Sequence, residues 1–228
     1  MGQYAIGDVH GCLTALETLI DFVNPSPSDL LVMLGDYVDR GPDSSGVLQW
    51  LIDQSPRRNL VCLKGNHEIM MLDARRDMTS RVRWGQHGGG ETWDSYDEES
   101  SDEGLAIVPD EHWEFLDSLR SYHETETHVF VHAAAYGDIP MSEQPEFVLY
   151  WERFGMISAR EDGKIVVCGH TRQTSGVPRR NEHAICIDTN ACRGGWLTCL
   201  DVESGRYHQA NERQETRSGW VDELDTEY

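Results

Sequence analysis

Three short apolar runs in the first third of the chain are followed, directly or after one residue, by a glycine and then by Asp or Asn. They lead into Gly7-Asp8-Val9-His10-Gly11, Gly35-Asp36-Tyr37-Val38-Asp39-Arg40-Gly41 and Gly65-Asn66-His67-Glu68. Apolar runs of this length, bounded by glycine, predict short buried strands. Roughly 30 residues separate each segment from the next, a spacing that suits strand–helix–strand units. The polar side chains are expected to meet, because ligands bind beyond the carboxyl ends of such strands.

Two later apolar runs end in the same way. Val129-Phe130-Val131 leads into His132, and Ile165-Val166-Val167-Cys168 leads into Gly169-His170. A single histidine after a strand is more often structural than functional. Five strand ends that all present Asp, Asn or His favour a shared site, because sheet stability requires no such residue at any of them.

The side chains at these ends suit a pair of metal ions. Two ions about 3.5–4 Å apart can clamp the attacking and leaving oxygens of an in-line displacement at phosphorus. Carboxylate, amide and imidazole groups hold such ions in place, and Asp8, His10, Asp36 and Asn66 are groups of this kind. The pattern therefore predicts a two-metal phosphoester hydrolase.

The order of the three motifs, GDxHG, GDxxDRG and GNHE, with separate histidines after two later strands, resembles the PPP family of metallophosphatases. The similarity is greatest to its short bacterial serine/threonine protein phosphatase type, in the calcineurin-like metallophosphoesterase superfamily, and runs from about Gln3 to Leu200. It implies an α/β fold, a four-layer α/β/β/α sandwich of two mixed β-sheets flanked by helices. Apolar residues at helical spacing in the front half and a strand-rich back half independently favour a sheet-on-sheet core between helices.

The resemblance also implies a role for each matched residue. Asp8, His10 and Asp36 would hold one metal, and Asp36, Asn66, His132 and His170 the second. A hydroxide bridging the two metals would attack phosphorus directly and in line. His67 would protonate the departing oxygen, and Asp39 would hold its imidazole in orientation. Arg40 and Arg153 would grip the phosphoryl oxygens.

These roles define the expected cofactor and activity. An all-nitrogen-and-oxygen ligand set without thiolate suits manganese, which we expect, with iron or zinc as alternatives. The expected activity is that of a phosphomonoesterase acting on phosphoserine or phosphothreonine in proteins and on small phosphoesters. The nearest alternative is a bis(5'-nucleosyl)-tetraphosphate hydrolase, whose family tends to depart from the Asp39-Arg40 pair. A non-catalytic phosphate-binding protein would lack a ligand or the acid, and none is missing here.

Composition restricts the partners and the compartment. The formal net charge is -21, with 40 acidic against 19 basic residues, and such a field repels nucleic acid and anionic membranes. Six cysteines without a C-x-x-C pair are typical of small buried side chains in a reducing compartment. With no membrane-length apolar stretch and a first strand close to Met1, the protein is expected to be cytoplasmic.

The sequence predicts one metallophosphatase domain over 1–210, with a loosely ordered tail over 211–228. An insertion of helices and loops near the active site is expected at about 73–126, including an acidic surface loop over 97–103. Asn190 stands where the family usually has glycine, and we expect it to adopt the same left-handed backbone. The oligomeric state is left open.

Overall fold

The computed structural model describes residues 1–96 and 104–224, which form short strands and helices in alternation. The strands are β1 Gln3–Ile6, β2 Leu30–Met33, β3 Asn59–Cys62, β4 Tyr122–Glu124, β5 His128–Val131, β6 Ile165–Cys168, β7 Arg179–Arg180, β8 Ala184–Cys186, β9 Leu197–Asp201, β10 Arg206–Ala210 and β11 Thr216–Trp220. The helices are α1 Leu13–Val23, α2 Ser44–Gln54, α3 Asn66–Ala74, α4 Met78–Trp84, α5 Gly90–Asp94, α6 Asp110–Ser118 and α7 Glu146–Trp151. The early strand runs and helical patterns of the sequence coincide with these elements to within about two residues.

The strands form two mixed sheets. The first has the order β11-β10-β9-β1-β2-β3, in which β1, β2 and β3 are parallel and the other pairings are antiparallel. The second has the order β4-β5-β6-β8-β7, in which β5, β6 and β8 are parallel. Helices cover the outer faces, so the predicted α/β fold of two mixed sheets with flanking helices is confirmed.

Alternation along the strands builds the layers. Side chains of successive strand residues point to opposite faces of a sheet. In β5, Phe130 joins the apolar cluster between the sheets, while Val129 and Val131 pack on the outer face with α7. In β2, Val32 likewise faces the second sheet, and its neighbours pack beneath α1 and α2. The strands are therefore buried on both faces, as their unbroken apolar runs indicate.

The structure differs from the sequence prediction after residue 210. Residues 216–220 form β11, which pairs with β10 at the edge of the first sheet, and Val221 is buried. The expected loose tail over 211–228 is therefore wrong as far as residue 224, and 225–228 lie outside the described residues. The strand was missed because β11 is polar and exposed, and lacks the apolar alternation that a half-buried strand shows.

The region 73–126 contains α4, α5 and α6 and also the edge strand β4. The predicted acidic loop over 97–103 lies outside the described residues. All six cysteines are free thiols, and four of them are buried. Within the described parts of the chain, no helix has the length and apolar character needed to cross a membrane.

Candidate active site

The predicted ligands all lie just beyond the carboxyl ends of parallel strands, and both sheets contribute. From the first sheet come Asp8 and His10 after β1, Asp36 after β2, and Asn66 at the start of α3, which follows β3. From the second come His132 after β5 and His170 after β6. The structure brings all six together, with His132 beside Asp36, about a hundred residues away in the chain, and His170 beside Asp8, 162 residues away.

The loops that carry these groups are tightly wound. His10, Asp36, Asp39, Arg40 and His170 all have positive φ, between 45° and 75°. For any residue with a Cβ, this left-handed conformation is sterically unfavourable. It persists only where the surrounding structure enforces it. Five such residues lie close together here. Their backbone conformation is the one that brings their side chains to the site, and it is not the one that the residues themselves prefer.

Asp36 lies at the centre of the cluster. Its Oδ2 lies 3.5 Å from Nε2 of His10, and its Oδ1 lies 3.4 Å from Nε2 of His132. On the second-sheet side, Nδ1 of His170 lies 2.8 Å from Asn66 Oδ1. The backbone N–H of His170 in turn faces both carboxylate oxygens of Asp8, at 3.1 and 3.2 Å.

Hydrogen-bond acceptors face one another across this cluster. His132 Nδ1 donates to the Leu34 carbonyl at 2.9 Å, so its Nε2 carries a lone pair, yet it lies only 3.0 Å from Asn66 Oδ1. His10 Nδ1 likewise donates to the Val38 carbonyl at 2.9 Å, and its Nε2, beside Asp36, accepts from Nη1 of Arg40 at 2.7 Å. The two acceptors at His132 and Asn66, with no hydrogen between them, are an arrangement that a cation stabilises.

The pKa values of the histidines and carboxylates in the cluster also favour a bound cation. Burial lowers the pKa of His10 and of His170 to about 3, so both imidazoles are neutral and able to coordinate. Burial raises the pKa of Asp8, and the neighbouring Asp188 and Asp36 raise it further. Neutral imidazoles and crowded buried carboxylates fit divalent cations, so the chemistry of these residues is compatible with the two-metal centre that the sequence predicts.

Asp188 was not predicted as a site residue. It follows β8, the next parallel strand of the second sheet after β6, and its side chain lines the same cavity as Asp36. Burial raises the pKa of Asp188 to about 6. Its position beyond a parallel strand is the signal that would have found it, since it repeats the placement of the other ligands.

Asp39 and His67 form a buried pair. His67 Nδ1 lies 2.5 Å from Asp39 Oδ2, which leaves Nε2 on the side of Asp36, 3.9 Å from its Oδ2. Burial acts to lower the pKa of His67, but the charges of Asp36 and Asp39 outweigh it, and the pKa is raised. An imidazole with a raised pKa that is held by its inner nitrogen suits a proton donor.

Asp39 has two further donors, from a segment to which the sequence assigned no catalytic part. The indole N–H of Trp84 reaches both oxygens of Asp39, at 2.9 and 3.0 Å, and the Thr92 hydroxyl donates to Oδ1 at 2.8 Å. Gly89 packs against the Trp84 ring so closely that a Cβ would collide with it. The segment from α4 to α5 therefore fixes the carboxylate that orients His67.

Trp84→Phe tests this positioning role, because phenylalanine keeps most of the ring but removes the N–H. We expect turnover of an alkyl phosphomonoester to fall by about 10–100-fold, the usual cost of losing an outer hydrogen-bond partner. Hydrolysis of p-nitrophenyl phosphate should fall less, because its leaving group needs little protonation. The matched control is Trp113→Phe, another buried tryptophan outside the cluster. Equal losses on both substrates would show that Trp84 is only a packing residue.

A cavity of about 330 Å³ opens above the cluster, and arginines surround it. Arg40 and Arg153, both predicted to contact phosphoryl oxygens, line this cavity, as do His67 and His170. Arg172 lines it too and was not predicted. An exposed arginine after a histidine carries no distinguishing pattern in the sequence, so its place at the rim became visible only with the fold.

Glu68 joins the loops rather than binding a metal. Its carboxylate accepts four backbone N–H groups, from Asp36 at 2.9 Å, Tyr37 at 2.7 Å, Gly65 at 2.8 Å and, more weakly, Val38 at 3.4 Å. Burial and then the charge of Asp36 raise the pKa of Glu68 to about 7. This side chain fastens the turn after β2 to the start of α3, and Gly65 allows the close approach, since a Cβ there would collide with Asp36.

Glu68→Ala removes the acceptor from four buried N–H groups at once. Each orphaned donor costs about 1–3 kcal/mol, so we expect the free energy of unfolding to fall by about 3 kcal/mol or more. Urea unfolding followed by circular dichroism measures the loss. Glu17→Ala, at an exposed position of α1, is the matched control. A loss below about 1 kcal/mol would mean that water replaces the carboxylate without cost.

Comparisons with known proteins agree with this geometry. The calcineurin-like phosphoesterase family model matches residues 3–184. Serine/threonine-protein phosphatase 1 of Salmonella typhimurium is 31% identical over 210 residues, which cover 88% of this chain and 91% of that protein. A symmetrical bis(5'-nucleosyl)-tetraphosphatase of Pseudomonas putida is 45% identical over 75 residues, which cover 32% of this chain and 25% of that protein.

Among solved structures, a candidate diadenosine tetraphosphatase superposes with a TM-score of 0.66 at 22% identity, over 96% of this chain and 95% of that one. At this identity the likeness speaks for the fold alone. The family model and the near full-length relative go further, because they span most of the chain together with the motifs that build the cluster. The chain therefore belongs to the calcineurin-like phosphoesterase family, whose members are metal-dependent phosphoester hydrolases.

Proposed function

We propose that this protein is a phosphomonoesterase that removes phosphate from phosphoserine and phosphothreonine side chains of proteins. The observation that carries the proposal is the buried Asp39–His67 pair. Serine and threonine alkoxides are poor leaving groups and need a proton as the bond to phosphorus breaks. A nucleotide leaving group is stable as an anion and needs little such help.

The chain's own residues account for binding and proton transfer. Arg40 and Arg153 bind the phosphoryl oxygens, for which a planar guanidinium is suited. His67 gives its Nε2 proton to the departing oxygen, and Asp39 holds the ring while it does so. Two divalent cations, held by Asp8, His10, Asp36, Asn66, His132 and His170, would supply charge neutralisation and an activated nucleophile.

The extent of the similarity supports the same choice. The serine/threonine phosphatase relative aligns over nearly the whole chain, whereas the tetraphosphatase relative aligns over a third of it. The higher local identity of that shorter match keeps hydrolysis of dinucleoside tetraphosphates as the second candidate. The two candidates differ in leaving group, which an assay can separate.

The deciding experiment compares kcat/KM for a phosphoserine peptide, a phosphothreonine peptide and diadenosine tetraphosphate on the same metal-loaded preparation. We expect both phosphopeptides to be better substrates than the dinucleotide. A higher kcat/KM for diadenosine tetraphosphate would reverse the assignment. A phosphotyrosine peptide completes the panel and reports whether selectivity extends to the type of phosphoresidue.

Metal removal is expected to abolish this activity reversibly. Exhaustive chelation should stop phosphate release, because the arginines and His67 alone cannot activate a nucleophile. Manganese, iron and zinc are then added back separately, and we expect manganese to restore the highest rate. Elemental analysis gives the metal-to-protein ratio of each sample. Full activity in chelated protein shown to be free of transition metal would contradict the assigned centre.

A further inference from the structure

A second cavity adjoins the cavity above the cluster of predicted metal ligands, and Arg40 lines both. The second cavity encloses about 570 Å³, and the first encloses about 330 Å³. One wall is the glycine-rich segment 85–88, and the other is formed by Cys192 and Arg193 after β8. The described structure therefore provides room beside the reacting phosphate for a further part of the substrate.

Glycine keeps the junction of the two cavities open. Gly88 has a φ of +107°, and its carbonyl accepts the backbone N–H of Arg40 at 3.0 Å. A Cβ on Gly88 would lie 2.6 Å from Cγ of Arg40. Residue 88 therefore has to be glycine for the Arg40 side chain to take this position. Arg40 is thus held at the boundary of the two cavities, where its Nη1 donates to Nε2 of His10 at 2.7 Å on the side of the cluster.

The second cavity is locally cationic in a strongly acidic protein. Arg40 and Arg193 line it, opposed by the single carboxylate of Glu91 among the described lining residues. Arg193 is exposed, and its guanidinium forms no hydrogen bond or ion pair with a residue in the described ranges. Arg193 therefore places an exposed guanidinium at the edge of a cavity in a chain of net charge -21, in which acidic residues outnumber basic ones two to one.

We propose that this cavity is a subsite for a second anionic group of the substrate, with Arg193 as its main contact. The group is a carboxylate or a second phosphate carried by the polypeptide near the phosphoserine or phosphothreonine. An extended chain advances about 3.3 Å per residue, so a cavity of this size accepts a group within about three residues. The inference rests on the proposed function and adds a sequence preference to it.

The test measures selectivity rather than activity. Three phosphoserine peptides differ only in the flanking residues, which are aspartate, alanine or arginine, and a fourth carries a second phosphoserine. For the wild-type protein we expect kcat/KM to be higher with acidic than with alanine flanks, and lowest with arginine. Arg193→Glu should lower the acidic-to-alanine ratio by about fivefold, the effect of a contact worth about 1 kcal/mol. Raising the salt concentration should reduce the wild-type ratio as well.

Arg213→Glu is the matched control, since Arg213 is an exposed arginine that lines neither cavity. It makes the same change in net charge, and we expect it to leave the ratio at its wild-type value. A wild-type ratio near one, or an equal change in both variants, would overturn the subsite while leaving the phosphatase function intact.

Failure of the proposed function would look different. Hydrolysis of p-nitrophenyl phosphate without hydrolysis of any phosphopeptide would refute the protein phosphatase assignment, and the subsite with it. If Arg193→Glu instead impaired hydrolysis of diadenosine tetraphosphate and left every peptide unaffected, the cavity would belong to a polyphosphate chain.

Discussion

His67→Asn is expected to lower kcat for an alkyl phosphomonoester by about 10²–10⁴-fold, the usual contribution of a positioned general acid. Asparagine cannot protonate the leaving oxygen, although its amide can still bond to Asp39. The effect should be much smaller for p-nitrophenyl phosphate, because nitrophenolate departs without a proton. The ratio of the two losses is therefore the measurement that identifies the role.

Metal content must be followed in the same samples, because His67 lies within 4.8 Å of His10 and Asp36 at their ligating atoms. We expect the variant to keep the metal-to-protein ratio of the wild type, with a KM close to that of the wild type. His183→Asn, outside the cluster, is the control for a general loss of histidine. Near wild-type turnover of the alkyl substrate would refute the general-acid assignment.

Asp36→Asn is expected to have a larger effect still. Asp36 faces histidines from both sheets, so its two oxygens are the groups that both cations would share. The amide is neutral and offers one oxygen instead of two. We expect the affinity for both metals to fall by more than the ~10–100-fold that losing an outer-shell partner costs, and activity to fall with it.

Two measurements separate this outcome from a simple folding defect. Elemental analysis after dialysis should show less than one metal ion per chain, and excess manganese should restore only part of the activity. The far-ultraviolet circular dichroism should match that of Asp21→Asn, an exposed carboxylate on α1. Retention of two ions with unchanged affinity would show that Asp36 does not bridge them.

The sequence predicted the meeting of distant strand ends because the signal there is local and repeated. Each ligand of the cluster follows an apolar run, and the parallel register of β1 to β3 and of β5, β6 and β8 then places the ends together. Asn190 was expected to adopt the left-handed backbone of a glycine, and with a φ of 67° it does so. These outcomes depend on strand order and short-range geometry, which a sequence pattern encodes.

The residues that were missed act through contacts with no sequence periodicity. Trp84 and Thr92 lie some fifty residues after Asp39, and nothing in their local sequence shows that both donate to its carboxylate. Asp188 has the right placement but follows a short strand. The strand β11 was missed for another reason. Backbone pairing with β10 stabilises it, and it lacks the apolar side chains from which a strand is predicted.

The left-handed backbone of the active-site loops has a consequence for engineering. Glycine would adopt the same angles at position 40 without strain, so a search for heat tolerance alone would favour glycine there. That change would remove the guanidinium that we propose binds the phosphoryl oxygens. The residues that would best fit this backbone are therefore not those that the proposed activity requires. Substitutions that raise thermostability have to be sought in parts of the molecule remote from these turns.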